Sequence, residues 1–263
     1  MGEVTSYQAG TPSWVDLMTS DPEGARRFYG ELLGWEFEIG GPETGHYTMC
    51  RLRGKNVAGI GGDPAPDGMP TVWTTYLAID DLDAAVKRIT DNGGAIMMEP
   101  LDVMDQGRMA VATDPTGAAF GLWQAGLHTG AQLVNEPGTL SWNELNTRDL
   151  AAAKRFYTAV FGFTWEDVDT GAGGPPYATF AVEGRAVGGA MAMGEMFPAE
   201  VPAHWRTYFG VADPDAAAAT TQRLGGSVDM PPTDSPYGRF TALRDPQGAV
   251  FTAVDTANQA PQG

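Results

Sequence analysis

Residues 11–38, TPSWVDLMTSDPEGARRFYGELLGWEFE, and residues 139–166, TLSWNELNTRDLAAAKRFYTAVFGFTWE, align without a gap. Ser13, Trp14, Leu17, Asp21, Arg27, Phe28, Tyr29 and Gly34 recur as Ser141, Trp142, Leu145, Asp149, Arg155, Phe156, Tyr157 and Gly162. Further on, Trp73 and Tyr76 return as Trp205 and Tyr208, Gly93-Gly94 as Gly225-Gly226, and Asp114-Pro115-x-Gly117 as Asp245-Pro246-x-Gly248. Agreement of this extent marks a duplication, which sets the architecture before any element is assigned. The 263 residues are then two copies, each long enough to bury a core of its own.

Each copy divides again into two runs of strand, helix and three strands. Residues 11–19 alternate, with Trp14, Asp16 and Met18 on one face and Val15 and Leu17 on the other. Asp21-Pro22-Glu23 starts a helix: Asp caps it, Pro takes the first turn, and an acid follows. Ala25, Phe28, Tyr29 and Leu32 give that helix one apolar stripe, and Gly34 closes it. Short strands fit 36–39, 47–52 and 57–61. A new strand at 72–79 and a helix opened by Asp81 begin the second run, which ends in a strand over 118–123. The boundaries read as a loose N-terminus over 1–10, a module over 11–125, a linker over 126–137, a second module over 138–255 and a loose C-terminus over 256–263.

Thirty-three acidic against 16 basic residues give a formal net charge of −17, which argues against a nucleic-acid partner because phosphate would be repelled. One cysteine, Cys50, allows no intrachain disulfide and no cysteine-based zinc site, and reads as a small core residue. The N-terminus has no basic and apolar leader, and no apolar run of about 18 residues occurs. The expected setting is therefore the cytoplasm, away from membranes.

The pattern D-x-x-x-A-x-x-F-Y-x-x-x-x-G-(W/F) after a first strand, with D-P-x-G-x-x-F near a module's end, resembles the vicinal oxygen chelate superfamily, which includes glyoxalases, bleomycin-resistance proteins and extradiol dioxygenases. The resemblance covers about residues 11–125 and 138–255. It implies an α+β fold of four βαβββ motifs that form two U-shaped β-sheet cups with helices outside. One chain would mimic the homodimer usual in the family, so the expected state is a monomer, an internal pseudo-dimer. Which motifs pair is left open, because members exchange halves. The two-module form is similar to actinobacterial proteins often labelled hydroxylase or glyoxalase, some of them near antibiotic-biosynthesis enzymes.

The resemblance also implies where metal ligands would sit: one on each motif's first strand, seven residues before the capping Asp, and one on its last strand. Those places hold Trp14, Thr74, Trp142 and Arg206 on first strands. Gly121 and Thr252 stand on module-final strands, and 59–62 and 188–191 contain no His, Asp or Glu. Such side chains do not suit a divalent first-row metal, so no cofactor is expected. A shift of register would bring in Asp16 and Glu144.

Strand alternation sets the cup linings: Trp14, Asp16, Met18, Thr74, Tyr76 and Trp123 in one, and Trp142, Glu144, Asn146, Arg206, Tyr208 and Thr252 in the other. An aromatic lining with one carboxylate suits a flat, partly apolar organic ligand. A carboxylate there must be paired or its pKa must rise. His46, His128 and His204 have no metal-ligand spacing, and His128 reads as surface decoration on the linker.

The preferred function is metal-independent binding of a flat small molecule of the antibiotic or aromatic polyketide type. An alternative is a tailoring enzyme of lyase, isomerase or hydroxylase type with Asp16 or Glu144 as general base. Tyr76, Tyr208 or Arg206 would then stabilise an anion. A second alternative is a metal-dependent glyoxalase or dioxygenase with displaced ligands. Binding and acid–base catalysis use the same residue types, so these residues do not decide whether the chain is an enzyme.

Overall fold

The computed structural model describes residues 2–66, 68–171, 173–195 and 197–256. After a two-residue strand β1 (Gly2–Glu3), the first module runs β2 (Pro12–Met18), α1 (Pro22–Leu33), β3 (Glu36–Ile39), β4 (Thr48–Leu52) and β5 (Lys55–Ile60). It continues with β6 (Val72–Ala78), α2 (Leu82–Asp91), β7 (Ala95–Val103), β8 (Gly107–Thr113) and β9 (Ala119–Ala125). A short β10 (Leu133–Val134) leads to the second module: β11 (Leu140–Thr147), α3 (Leu150–Phe161), β12 (Thr164–Val168), β13 (Tyr177–Val182) and β14 (Arg185–Ala192). Its second motif is β15 (His204–Val211), α4 (Pro214–Arg223), β16 (Ser227–Ser235), β17 (Gly238–Arg244) and β18 (Val250–Asp255).

The caps behave as their sequences require. Asp21 Oδ1 accepts from the Gly24 amide at 2.8 Å and Asp149 Oδ1 from the Ala152 amide at 2.8 Å. Gly34 and Gly162 then close α1 and α3 at φ 75° and 73°, a backbone that glycine adopts without a Cβ penalty.

Motifs pair within a module, which settles the question of exchange. One open sheet has the order β3-β4-β5-β2-β6-β9-β8-β7, and the other has β12-β13-β14-β11-β15-β18-β17-β16. At the centre of each, the first strands of the two motifs run antiparallel. Asp16 stands opposite Thr74, and Glu144 opposite Arg206.

The cores, by contrast, cross the modules. Val15, Leu17, Phe28, Tyr29 and Trp73 of the first module share one buried cluster with Phe209, Ala217, Leu243 and Phe251 of the second. The reciprocal cluster joins Leu77, Leu82, Ile89 and Phe120 to Leu145, Phe156, Tyr157 and Trp205. The repeated motifs explain the joint. Tyr29 of the Phe-Tyr pair donates to Asp245 Oδ2 of the other module's Asp-Pro turn at 2.9 Å, and Trp73 Nε1 donates to the Tyr29 hydroxyl at 3.0 Å. Trp205 Nε1 does the same to Tyr157 at 3.0 Å.

Two segments differ from expectation. The N-terminal stretch expected to be loose is tied down: Gly2–Glu3 pairs with Leu133–Val134, and the Tyr7 hydroxyl donates to the Ala131 carbonyl at 2.6 Å. The segment from 126 to 134 lies on the first module, with the Ala131 amide bonded to Ser13 O at 2.8 Å and Gln132 N to Asn56 O at 2.7 Å. Periodicity could not show this, because the pairing is made by backbone groups. The expected loose C-terminus lies, beyond Thr256, outside the described residues.

Candidate functional site

In the first cup, Trp14, Tyr76 and Trp123 form a small apolar cluster with Ala131, and Met49, Val103 and Met109 pack against it. Trp14 Nε1 donates to the Tyr47 hydroxyl at 3.0 Å. Tyr47 and Tyr76 both donate to Asp16 Oδ2, at 3.3 and 3.1 Å. Burial pushes the Asp16 carboxyl up to about 6, and the two phenol donors hold the rise back. The same burial, with Asp16 beside them, raises both phenols well above their ordinary range. Met18 is half-buried at the end of β2, and Thr74 is half-buried opposite Asp16.

The second cup repeats the plan. Trp142 Nε1 donates to the Tyr177 hydroxyl at 3.1 Å. Glu144 is buried, and that burial raises its carboxyl. Arg206 opposes the rise most, followed by Tyr208, Tyr177 and Asn146. Tyr208 pairs in register with Thr252, which is buried, and Asn146 is fully buried one position beyond Glu144 on the same face. The structure therefore gathers Asp16, Trp14, Tyr76 and Trp123 at one centre, and Glu144, Trp142, Asn146, Arg206, Tyr208 and Thr252 at another. Met18 and Thr74 lie at the margin of the first.

Three participants escaped the sequence reading. Tyr47, just before β4, and Tyr177, the first residue of β13, each put a hydroxyl beside the cup acid. The recurrence of Tyr where β4 and β13 begin or are about to begin was the available signal. The third is His128. It was expected on the surface, yet it is 7% exposed, with its ring 4.4 Å from Trp14 and 5.4 Å from Trp123. Trp123 Nε1 donates to the His128 carbonyl at 2.8 Å. Burial lowers the His128 imidazole to about 4. His46 is exposed and His204 half-buried, and Cys50 is fully buried in the core.

Glycines make room for the phenols. A Cβ at Gly59 would overlap the Tyr47 hydroxyl, one at Gly189 the Tyr177 hydroxyl, and one at Gly121 the Tyr76 ring. Gly59 and Gly189 stand beside Asp16 and Glu144 on the neighbouring strands.

Two open sheets, each built from a pair of βαβββ motifs about a central antiparallel strand pair, are a fold shared with glyoxalases and dioxygenases. The chain belongs to the Glyoxalase/Bleomycin resistance protein/Dioxygenase superfamily, whose profile matches residues 11–122 and again 139–252. CFP32 of Mycobacterium tuberculosis, provisionally named a glyoxylase, is 46% identical over 266 residues, covering 98% of this chain and 100% of its own. The anthracycline biosynthesis protein DauV of a Streptomyces species is 37% identical over 272 residues, 98% of each chain. The Mn(II)-bound glyoxalase of Novosphingobium aromaticivorans shares the fold with a TM-score of 0.65 at 16% identity, over 96% of this chain and 86% of that one.

That last likeness corrects the expectation that no cofactor belongs here, since a chain of this fold is described with Mn(II) bound. Each cup offers one carboxylate and two phenols of raised pKa, and the described residues contain no group of three or more His, Cys, Asp or Glu suited to a metal. The tyrosines fill the space beside Gly59, Gly121 and Gly189. These residues do not fit a divalent first-row ion. No helix is long and apolar enough to cross a membrane among the described residues.

Proposed function

We propose that this protein binds a flat, partly apolar organic molecule of the antibiotic or aromatic polyketide type in a β-sheet cup. The observation that carries this reading is the indole–phenol–carboxyl cluster built twice on the concave faces. Aromatic faces take up a planar ring system, while the acid and hydroxyls fix its orientation. The relation to a protein named for anthracycline biosynthesis supports the same ligand class. Titration with a series of hydroxyanthraquinones, followed by tryptophan fluorescence and calorimetry, is expected to give saturable quenching. Flat curves across the series would refute the reading.

A second reading rests on the acids. Asp16 sits near neutrality at about 6 and Glu144 is also raised, so either can take a proton from a bound ligand as general base. Tyr76, Tyr208 or Arg206 would then steady the resulting anion. Loss of turnover with retained binding in Asp16→Asn or Glu144→Gln is the expected mark of that role, and unchanged turnover in both removes it. We further infer that the chain works as a cytoplasmic monomer, with modules 11–125 and 138–255 standing in for two subunits. Sedimentation at the mass of one chain is expected.

A further inference from the structure

The two cups descend from one sequence but differ in what covers them and in which polar groups they leave unsatisfied. In the first, the segment after β9 crosses the cup, and His128 stands edge-on to Trp14 and Trp123. Trp14 is 4% exposed, Tyr76 6% and Trp123 7%. The acid is satisfied as well, with both phenols donating to Asp16 Oδ2.

The buried His128 Nε2 of the first cup lacks a partner, whereas the second cup is more open and leaves a carboxamide and a guanidinium nitrogen unsatisfied beside its acid. Trp142, Tyr177, Arg206 and Tyr208 are only half-buried, and no ring packs on Trp142 among the described residues. Asn146 is fully buried beside Glu144 and helps hold that carboxyl down, yet neither its Oδ1 nor its Nδ2 makes a hydrogen bond of full geometry. The buried Nε of Arg206 also lacks a partner. Orphaned polar atoms in a buried position cost about 1–3 kcal/mol each, so a cup that keeps them is built for something that satisfies them. The corresponding positions of the first cup carry Met18 and Thr74, which cannot replace a carboxamide and a guanidinium.

We propose that ligand binding is confined to the second cup, that His128 is the stopper of the first, and that the ligand is a planar aromatic ketone or quinone with a neighbouring hydroxyl. The carbonyl oxygen accepts from Arg206 Nε and Asn146 Nδ2, the hydroxyl shares its proton between that carbonyl and Asn146 Oδ1, and the ring system lies against Trp142. This rests on the aromatic-ligand reading above and adds to it the cup, the stoichiometry and the polar pattern.

The probe is 1-hydroxyanthraquinone, with anthracene as the analogue lacking both oxygen functions. Calorimetry on the whole chain is expected to give one site, with anthracene at least tenfold weaker. Arg206→Met and Asn146→Leu should each weaken the hydroxyquinone about tenfold or more while leaving anthracene nearly unchanged. Tryptophan quenching should disappear in Trp142→Phe. His128→Gly is expected to add a second, weaker site, and failure to do so overturns the role given to His128.

Two equal sites in the wild-type chain, or quenching that Trp14→Phe abolishes while Arg206→Met leaves affinity intact, overturns the assignment to the second cup. In both those cases the aromatic-ligand reading stands. No binding of either probe refutes both. Far-ultraviolet circular dichroism on each variant separates loss of the site from loss of the fold.

Discussion

Asp16 and His128 both belong to the first cup, and their carboxyl and imidazole are shifted in opposite senses. The Asp16 carboxyl moves from 3.8 to about 6 in the folded chain, so the native state keeps a proton that the unfolded chain has released. Raising the pH from about 4 to 6 therefore costs stability through Asp16, on the order of 2 kcal/mol after discounting for its partial exposure. His128 moves from 6.5 to about 4, so the unfolded chain takes up its proton first, and stability is lost as pH falls through the same range. The two slopes offset each other. Asp16→Asn should therefore expose the histidine: its melting temperature, relative to wild type, should rise between pH 4 and pH 6.5. A constant difference would show that the carboxyl is not held up. Tyr29 makes a second residue-scale case. Tyr29→Phe leaves Asp245 Oδ2 and Trp73 Nε1 without their partner and is expected to cost about 2 kcal/mol in urea unfolding.

The strands position these groups through close register. Asp16 lies beside Gly59 on β5, and Tyr47, immediately before β4, comes to the same point, so the phenol reaches the acid only where the neighbouring strand has no side chain. Gly59→Ala should drive the Tyr47 hydroxyl off Asp16 at a cost of about 1–3 kcal/mol, the range for overpacking a filled site. Combining it with Tyr47→Phe should recover part of that loss. A double-mutant cycle with no coupling would show that the hydroxyl does not occupy the space. The segment after β9 belongs to the same scale. Its backbone bonds to Ser13 and Asn56 hold His128 over the cup, a role that its Gly- and Thr-containing sequence does not announce.

Across the whole molecule, the sheets are modular and the cores are shared. Phe209, in the second module, packs its ring 5.4 Å from Trp35 and 5.0 Å from Trp73 of the first. Phe209→Ala is accordingly expected to cost about 3–5 kcal/mol and to lower a single melting transition of the entire chain. Two transitions, with only one displaced, would show that the modules unfold independently. The same sharing explains why the Phe-Tyr and Asp-Pro motifs occur in both copies: each tyrosine reaches the aspartate turn of the other module.

Much of this was legible in the chain itself. The repeat carried the two modules, alternation around Trp14 and Trp142 carried the face that looks into each cup, and the capped helices carried the convex layer. These follow from local chemistry, because period, capping and turn residues act within a few positions. Tertiary structure decided the rest. That motifs pair within a module, that Tyr47 and Tyr177 come to the acids, and that His128 lies buried on two indoles all depend on groups brought together from distant positions. Arg206 and Asn146 were visible as cup residues, but their lack of partners was not. Hydrogen-bond satisfaction is a property of assembled neighbours, and the two copies, already divergent at Met18/Asn146 and Thr74/Arg206, were set further apart when the linker settled over one cup.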